Sequence, residues 1–109
     1  MLYTPYQIKT ASYEIDAVVY GYSSTIDQTD LSPFCTASGQ MVRDGIIACP
    51  RKYPFGAKFE IGGRIYDCQD RMNIRYENNE SETFDIWFSD RQTAIEFGKQ
   101  RLKIRIIKR

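Results

Sequence analysis

Residues 58–68 read Lys-Phe-Glu-Ile-Gly-Gly-Arg-Ile-Tyr-Asp-Cys. Two short runs, 58–61 and 64–68, flank Gly62-Gly63, and paired glycines supply the positive φ that a two-residue hairpin turn requires at both central positions. The stretch predicts two antiparallel strands. Working outward, 13–20 (Tyr-Glu-Ile-Asp-Ala-Val-Val-Tyr) is β-branched and aromatic and predicts the first strand. Asp44-Gly45 is a tight-turn pair feeding the apolar run Ile46-Ile47-Ala48-Cys49, which suits a buried strand. Pro50 and Pro54 bracket a connector, and 83–88 predicts the next strand. The segments 23–38 and 77–82 are polar and predict loops. Ser89-Asp90-Arg91-Gln92 forms a capping box that opens a short helix with Ala94, Ile95 and Phe97 inward and Gly98 as the left-handed cap. In 99–109, Leu102, Ile104 and Ile106 alternate with Lys103, Arg105 and Ile107, the period of a half-buried strand with a cationic outer face. About six strands and one short helix in so short a chain predict a mainly β fold, a small closed barrel, because closure removes exposed edges.

At 109 residues the chain forms one domain, 1–109, large enough to bury about two thirds of its unfolded surface. Fifteen basic and 14 acidic side chains leave a net charge of +1, so no field concentrates a polyanion, and nucleic acid is excluded as a partner. No run approaches the roughly 18 apolar residues of a membrane helix, and the first twenty residues lack the basic and apolar segments of a signal peptide. The compartment is left undetermined, and a monomer is expected. The absence of histidine removes the usual general base near neutral pH and the commonest zinc ligand, which excludes cysteine peptidases and zinc amidases. Cys35, Cys49 and Cys68, spaced by 14 and 19 residues, lack a close pair for metal, so neither metal nor cofactor is expected. An odd count argues against a disulfide framework; one bridge stays open, and three free thiols are the expectation.

Four blocks carry more specific information: Ser32 to Gly45 (Ser-Pro-Phe-Cys-Thr-Ala-Ser-Gly-Gln-Met-Val-Arg-Asp-Gly), Pro54-Phe55-Gly56, Asp70-Arg71-Met72-Asn73 and Asp85-Ile86-Trp87-Phe88. In order and spacing they resemble the 3D domain family, small six-stranded double-psi β-barrels related to lytic transglycosylase A, rare lipoprotein A and expansins. The resemblance covers about 17–107 and implies that the partner is a peptidoglycan glycan strand. Glycoside cleavage needs a carboxylic acid, protonated at working pH, to donate to the leaving oxygen. Lytic transglycosylases, as the resemblance implies, return that proton from the muramyl 6-hydroxyl and close a 1,6-anhydro ring without water. By the same resemblance Asp85 matches the general acid and base, and Asp70 its neighbour in the cleft, close enough to raise its pKa. Without the family, Asp70 reads as a turn cap paired with Arg71 or Arg75, and Asp85 as a strand-edge charge.

Tyr22, Thr36, Ser38 and Gly39 match cleft positions, Gly39 permitting close backbone approach, and Trp87 shares the strand face of Asp85 and either stacks on a sugar or belongs to the core. Phe34, Phe55 and Phe97 read as core. The family's first aspartate would fall near Ala48-Cys49-Pro50, where this chain has Cys49, read as a buried or disulfide-linked thiol. The segments of Cys35 and Cys49 both approach the cleft by resemblance, which leaves a bridge between them open. Two alternatives to catalysis stand beside it: a non-catalytic glycan-binding module of the expansin kind, and a structural component of a phage tail or cell envelope.

Overall fold

The computed structural model describes residues 12–24, 35–72 and 82–107. Along the chain run β1 (Ser12–Tyr22), β2 (Ile46–Cys49), β3 (Lys58–Ile61), β4 (Arg64–Arg71), β5 (Glu82–Trp87), α1 (Arg91–Phe97) and β6 (Lys99–Ile107). The strands close into a barrel in the order β1-β5-β2-β4-β3-β6. Two neighbouring pairs are parallel, β1 with β5 and β2 with β4, and the others are antiparallel. The fold is therefore mainly β, a closed six-stranded barrel with one short helix.

The hairpin that the glycines predict forms as read. Gly62 and Gly63 take φ of 60° and 84°, and Ile61 faces Arg64 across the turn. Alternation then separates the interior from the outside. Val19, Ile47, Cys49, Phe59, Cys68, Phe84 and Ile104 are fully buried inside the barrel, with the Phe59 and Phe84 rings edge to face at 4.9 Å. Burying each such side chain contributes about 1.5–3 kcal/mol, so this interior supplies most of the drive to close. β6 follows its predicted period: Ile104 and Ile106 are buried, while Lys103 and Arg105 face water opposite Asp16, Glu14 and Glu60 of the flanking strands.

α1 starts one residue later than the capping-box reading. Asp90, not Ser89, is the N-cap, because its carboxylate satisfies both the backbone N–H of Thr93 at 2.9 Å and the Thr93 hydroxyl at 2.6 Å. Gly98 closes the helix with the positive φ expected of it, 64°, but its ψ of −130° lies outside the left-handed region that the sequence predicts. Of the residues expected inward, Ala94 is buried and Phe97 packs on Phe88 with ring centroids 5.3 Å apart, but Ile95 points to solvent. A seven-residue helix presents only about two turns, and its inward stripe is too narrow for residues 94 and 95 together. The helix lies close to β1: a Cβ at Gly21 would sit 2.8 Å from the Ala94 carbonyl oxygen and 2.9 Å from the Phe88 ring.

Two further expectations are corrected. The cysteines are not three free thiols, and Cys35 does not bridge to Cys49. Cys49 and Cys68 form a disulfide with Cα atoms 5.8 Å apart, leaving Cys35 free and exposed. The reason is topological: parallel pairing of β2 with β4 sets Ile47 beside Cys68 and turns both bonded cysteines into the interior. Phe55 is not core but 42% exposed, with the Arg71 guanidinium 4.0 Å above its ring. The Pro54-Gly56 turn holds it outside, where a stacked cation covers one face. Phe34 lies outside the described residues, as do most of the predicted loops 23–38 and 77–82; Glu82 opens β5. Among the described residues no helix is long and apolar enough to cross a membrane.

Candidate functional site

In β5 the neighbours of Asp85, Phe84 and Ile86, belong to the barrel interior, so Asp85 itself projects from the outer face. It pairs in register with Ala48 of β2, and Ala48 pairs on its other side with Asp70 of β4. The two carboxylates thus flank one alanine on a single rung, their backbones about two strand spacings, roughly 10 Å, apart. This alignment depends on an irregularity. Ile47 pairs with Cys68 but Ala48 pairs with Asp70, so Gln69 is an extra residue in β4. Such a bulge re-aims the side chain that follows it. With regular pairing Gln69 would stand beside Ala48, and Asp70 would move one position along.

The bulge also anchors the segment 36–40. Its Gln69 carbonyl accepts the backbone N–H of Ser38 at 3.1 Å, which brings the Ala37 N–H to Asp70 Oδ1 at 2.9 Å. Asp70 Oδ1 accepts a second bond from the Arg71 backbone N–H at 2.9 Å, and Oδ2 accepts the Tyr22 hydroxyl at 2.8 Å. Its described partners are the Ala37 and Arg71 backbone N–H groups and the Tyr22 hydroxyl rather than the Arg71 side chain; Arg75, the other cation the sequence offers, lies outside the described residues. The Arg71 guanidinium instead lies over the disulfide, with Nη1 3.2 Å from Cys49 Sγ and 3.5 Å from Cys68 Sγ.

Asp85 has the opposite surroundings. Its Oδ1 is sealed from solvent and has no hydrogen-bond partner among the described residues. Burial, and then the negative charge of Asp70, push its carboxyl up to about 7. An acid poised near neutrality can both give and take a proton at working pH. Tyr22 is likewise pushed up, by burial first and then by the charge and hydrogen bond of Asp70, with a further contribution from Asp85, so its phenol stays a neutral donor.

No protein-family model matches this chain, and no curated protein matches it. Of the residues singled out from sequence, Asp70, Asp85, Tyr22, Thr36 and Ser38 are linked through the rung and its anchored segment. Several of them have their polar atoms engaged within the protein. Thr36 is buried; its Oγ1 accepts the Gln40 N–H at 3.1 Å and lies 3.0 Å from Ser38 Oγ. Gly39, at φ 88°, is exposed with open space around it. Trp87 is half-buried and donates its indole N–H to Ser24 Oγ at 2.8 Å, which fixes the ring at the edge of this face. Among the described residues no three cysteine or acidic side chains converge where a metal ion could sit.

Sequence reading missed Gln69, the Ala37 N–H and the placement of Arg71. The Ala37 donor lies within the quoted Thr-Ala-Ser-Gly block, but a backbone group has no residue signature. A bulge leaves none either, since any residue can be the extra one.

Proposed function

We propose that this barrel cleaves peptidoglycan glycan strands in the manner of a lytic transglycosylase, with Asp85 as general acid and then base and Asp70 as the fixed charge beside it. The observation that carries this is the Asp85 carboxyl, one oxygen buried and without a partner among the described residues, held level with a second carboxylate that accepts three hydrogen bonds. A pair of carboxyls in contrasting environments divides the roles of proton carrier and electrostatic partner. In the proposed step Asp85 gives its proton to the glycosidic oxygen as the C1–O bond breaks. The resulting Asp85 carboxylate takes the proton of the muramyl 6-hydroxyl, whose oxygen bonds to C1. The enzyme ends protonated as it began, and no water is consumed. The closed barrel with its two parallel strand pairs is compatible with the double-psi topology of the 3D domain family, which supports the same reading.

A glycan-binding module has no need of a carboxyl held protonated near neutral pH, and that favours cleavage over binding alone. Digestion of purified sacculi with mass analysis of the fragments tests it. The expected products carry 1,6-anhydromuramyl ends, and Asp85→Asn lowers their release by on the order of a hundredfold or more while glycan binding persists. Reducing ends would show hydrolysis and exclude the transglycosylase assignment. Binding with no fragments would leave the glycan-binding alternative.

A further inference from the structure

Cys49 follows Ala48 on β2 and Cys68 precedes the bulged Gln69 on β4, so the disulfide is a covalent tie beside the carboxylate rung. Its two sulfurs have unequal surroundings. Arg71 Nη1 lies 3.2 Å from Cys49 Sγ and 3.5 Å from Cys68 Sγ, held there by the Pro50 carbonyl at 3.4 Å and by the stack of the guanidinium on Phe55 at 4.0 Å. Cys68 Sγ lies in addition 3.6 Å from the Asp70 carbonyl oxygen, the negative end of a peptide dipole. Negative charge is therefore favoured on Cys49 and opposed on Cys68. The wider setting adds to this: Arg51, which donates to the Met72 carbonyl at 3.4 Å, acts on Arg71 as a second positive charge, whereas the Asp70 carboxylate is engaged by Ala37, Tyr22 and the Arg71 backbone. Both sulfurs are fully buried, yet the guanidinium over them is half-buried and the Phe55 ring it rests on is partly exposed.

We propose that the bond between Cys49 and Cys68 is a redox-active disulfide that exchanges with a dithiol reductant, with Cys68 as the attacked sulfur, Cys49 as the leaving one and Arg71 as the cation that receives the leaving charge. None of the contacts behind this depends on the transglycosylase reading. A neutral disulfide is a weak acceptor and gains little from a cation against its sulfurs, so the guanidinium acts chiefly once a sulfur carries charge. Swinging the Arg71 side chain off Phe55 uncovers the bond from that side without parting a strand. In the first step a thiolate of the dithiol bonds to Cys68 Sγ, the bond to Cys49 breaks, and its electron pair leaves on Cys49 Sγ beside Arg71. In the second, the other thiolate of the same dithiol attacks the reductant sulfur of that mixed disulfide and releases Cys68, which takes a proton. The dithiol is oxidised to its own disulfide and loses two protons, one to Cys68 and one to solvent. The protein gains two electrons and holds a thiol at Cys68 and a thiolate at Cys49.

The test uses the full chain in buffers of reduced and oxidised dithiothreitol at neutral pH, with thiols trapped by alkylation and read by mass. The oxidised protein carries the alkyl group on Cys35 alone, and the reduced protein carries it on Cys49 and Cys68 as well. Reduction of the parent should be first order in dithiothreitol and unaffected by urea below the unfolding transition. Under limiting alkylating reagent, Cys49 of the reduced parent should be labelled before Cys68. Arg71→Gln should slow reduction about tenfold and shift the equilibrium towards the disulfide by a similar factor, because the leaving sulfur becomes more basic. Arg71→Lys keeps the charge and should recover most of the rate. A rate independent of dithiothreitol and equal to that of global unfolding overturns the proposal, since the bond would then open only in the unfolded chain. So does an Arg71→Gln protein reduced as fast as the parent, or a lysine variant as slow as the glutamine one. Should neither variant fold, the parent retains the decision through its order in reductant and its labelling pattern: equal labelling of Cys49 and Cys68 refutes the assignment of the charge.

Discussion

Two outward faces of the same barrel treat their acidic side chains in opposite ways. Across β1, β6 and β3, Asp16 meets Lys103 at 2.9 Å, and Glu14 and Glu60 meet Arg105 at 4.0 and 3.4 Å. Each acid stands opposite a base in register, and Asp16 and Lys103 remain largely in water at 83% and 65% side-chain exposure. Across β5, β2 and β4, two acids share a rung with only Ala48 between them, and one has an oxygen closed to solvent and without a hydrogen-bond partner among the described residues. Alternation along the strands sends side chains outward on both faces, so period alone does not distinguish them. What differs is cover. The paired face contributes little to stability because water screens it, whereas the covered face holds a carboxyl that folding destabilises once it ionises.

The strongest way to break this contrast is Asp85→Asn. The native carboxyl titrates at about 7 while the unfolded one titrates near an ordinary aspartate, so between roughly pH 4 and 7 the native state binds the extra proton. Unfolding free energy should therefore fall as pH rises through that window, by up to roughly 4 kcal/mol from this residue. Urea denaturation from pH 4 to 8 should show Asp85→Asn losing most of that slope, ending more stable than the parent at pH 8. Parallel curves for the two proteins would mean that Asp85 is hydrated, and the contrast between the faces would vanish.

The next effect concerns what holds the rung. Cys49 follows Ala48 and Cys68 lies two residues before Asp70, so the disulfide ties β2 to β4 beside the bulge. Its 19-residue separation places its stabilisation at about 3 kcal/mol. The double replacement Cys49→Ser with Cys68→Ser should lower the urea midpoint accordingly, and the parent under reducing conditions should approach it. An unaltered midpoint in both would show that strand pairing alone holds the rung.

β1 belongs to both faces, and Gly21 is where α1 rests on it. Gly21→Ala should destabilise the protein by about 1–3 kcal/mol, because the clash is with the backbone carbonyl of Ala94, which cannot rotate away. Thermal unfolding measures this, and an unchanged midpoint would place the helix farther from β1. The smallest effect is expected on the paired face: Lys103→Gln should leave the thermal midpoint unchanged at physiological salt, since its partner Asp16 is open to solvent. A clear loss there would mean that the paired face also carries a structural charge.

Much of the barrel was legible because local physics and final structure agree. Gly62-Gly63 can hardly be anything but a hairpin turn between two alternating runs, and Gly98 takes the φ that ends a helix. Ile104 and Ile106 declare an inner face by period. Asp70 and Asp85 were legible as candidates only through the blocks around them, since an aspartate in a strand also reads as a surface charge. The slip at α1 arose where Ser89 and Asp90 both suit an N-cap, and the one with two oxygens to offer Thr93 took the position.

The amino-acid sequence by itself determined the strands, the turns between near neighbours and the exclusion of imidazole chemistry, because these follow from residue type and spacing within a few positions. Only the tertiary structure decided which cysteines are bonded, that Gln69 is the extra residue which brings Asp70 level with Asp85, and that the hydroxyl of Tyr22 on β1 bonds Asp70 on β4. Each of these depends on which strands become neighbours when the barrel closes, and closure joins residues as far apart in the chain as 22 and 70. Proximity of that kind is set by the packing of the whole interior, to which no short stretch of sequence has access.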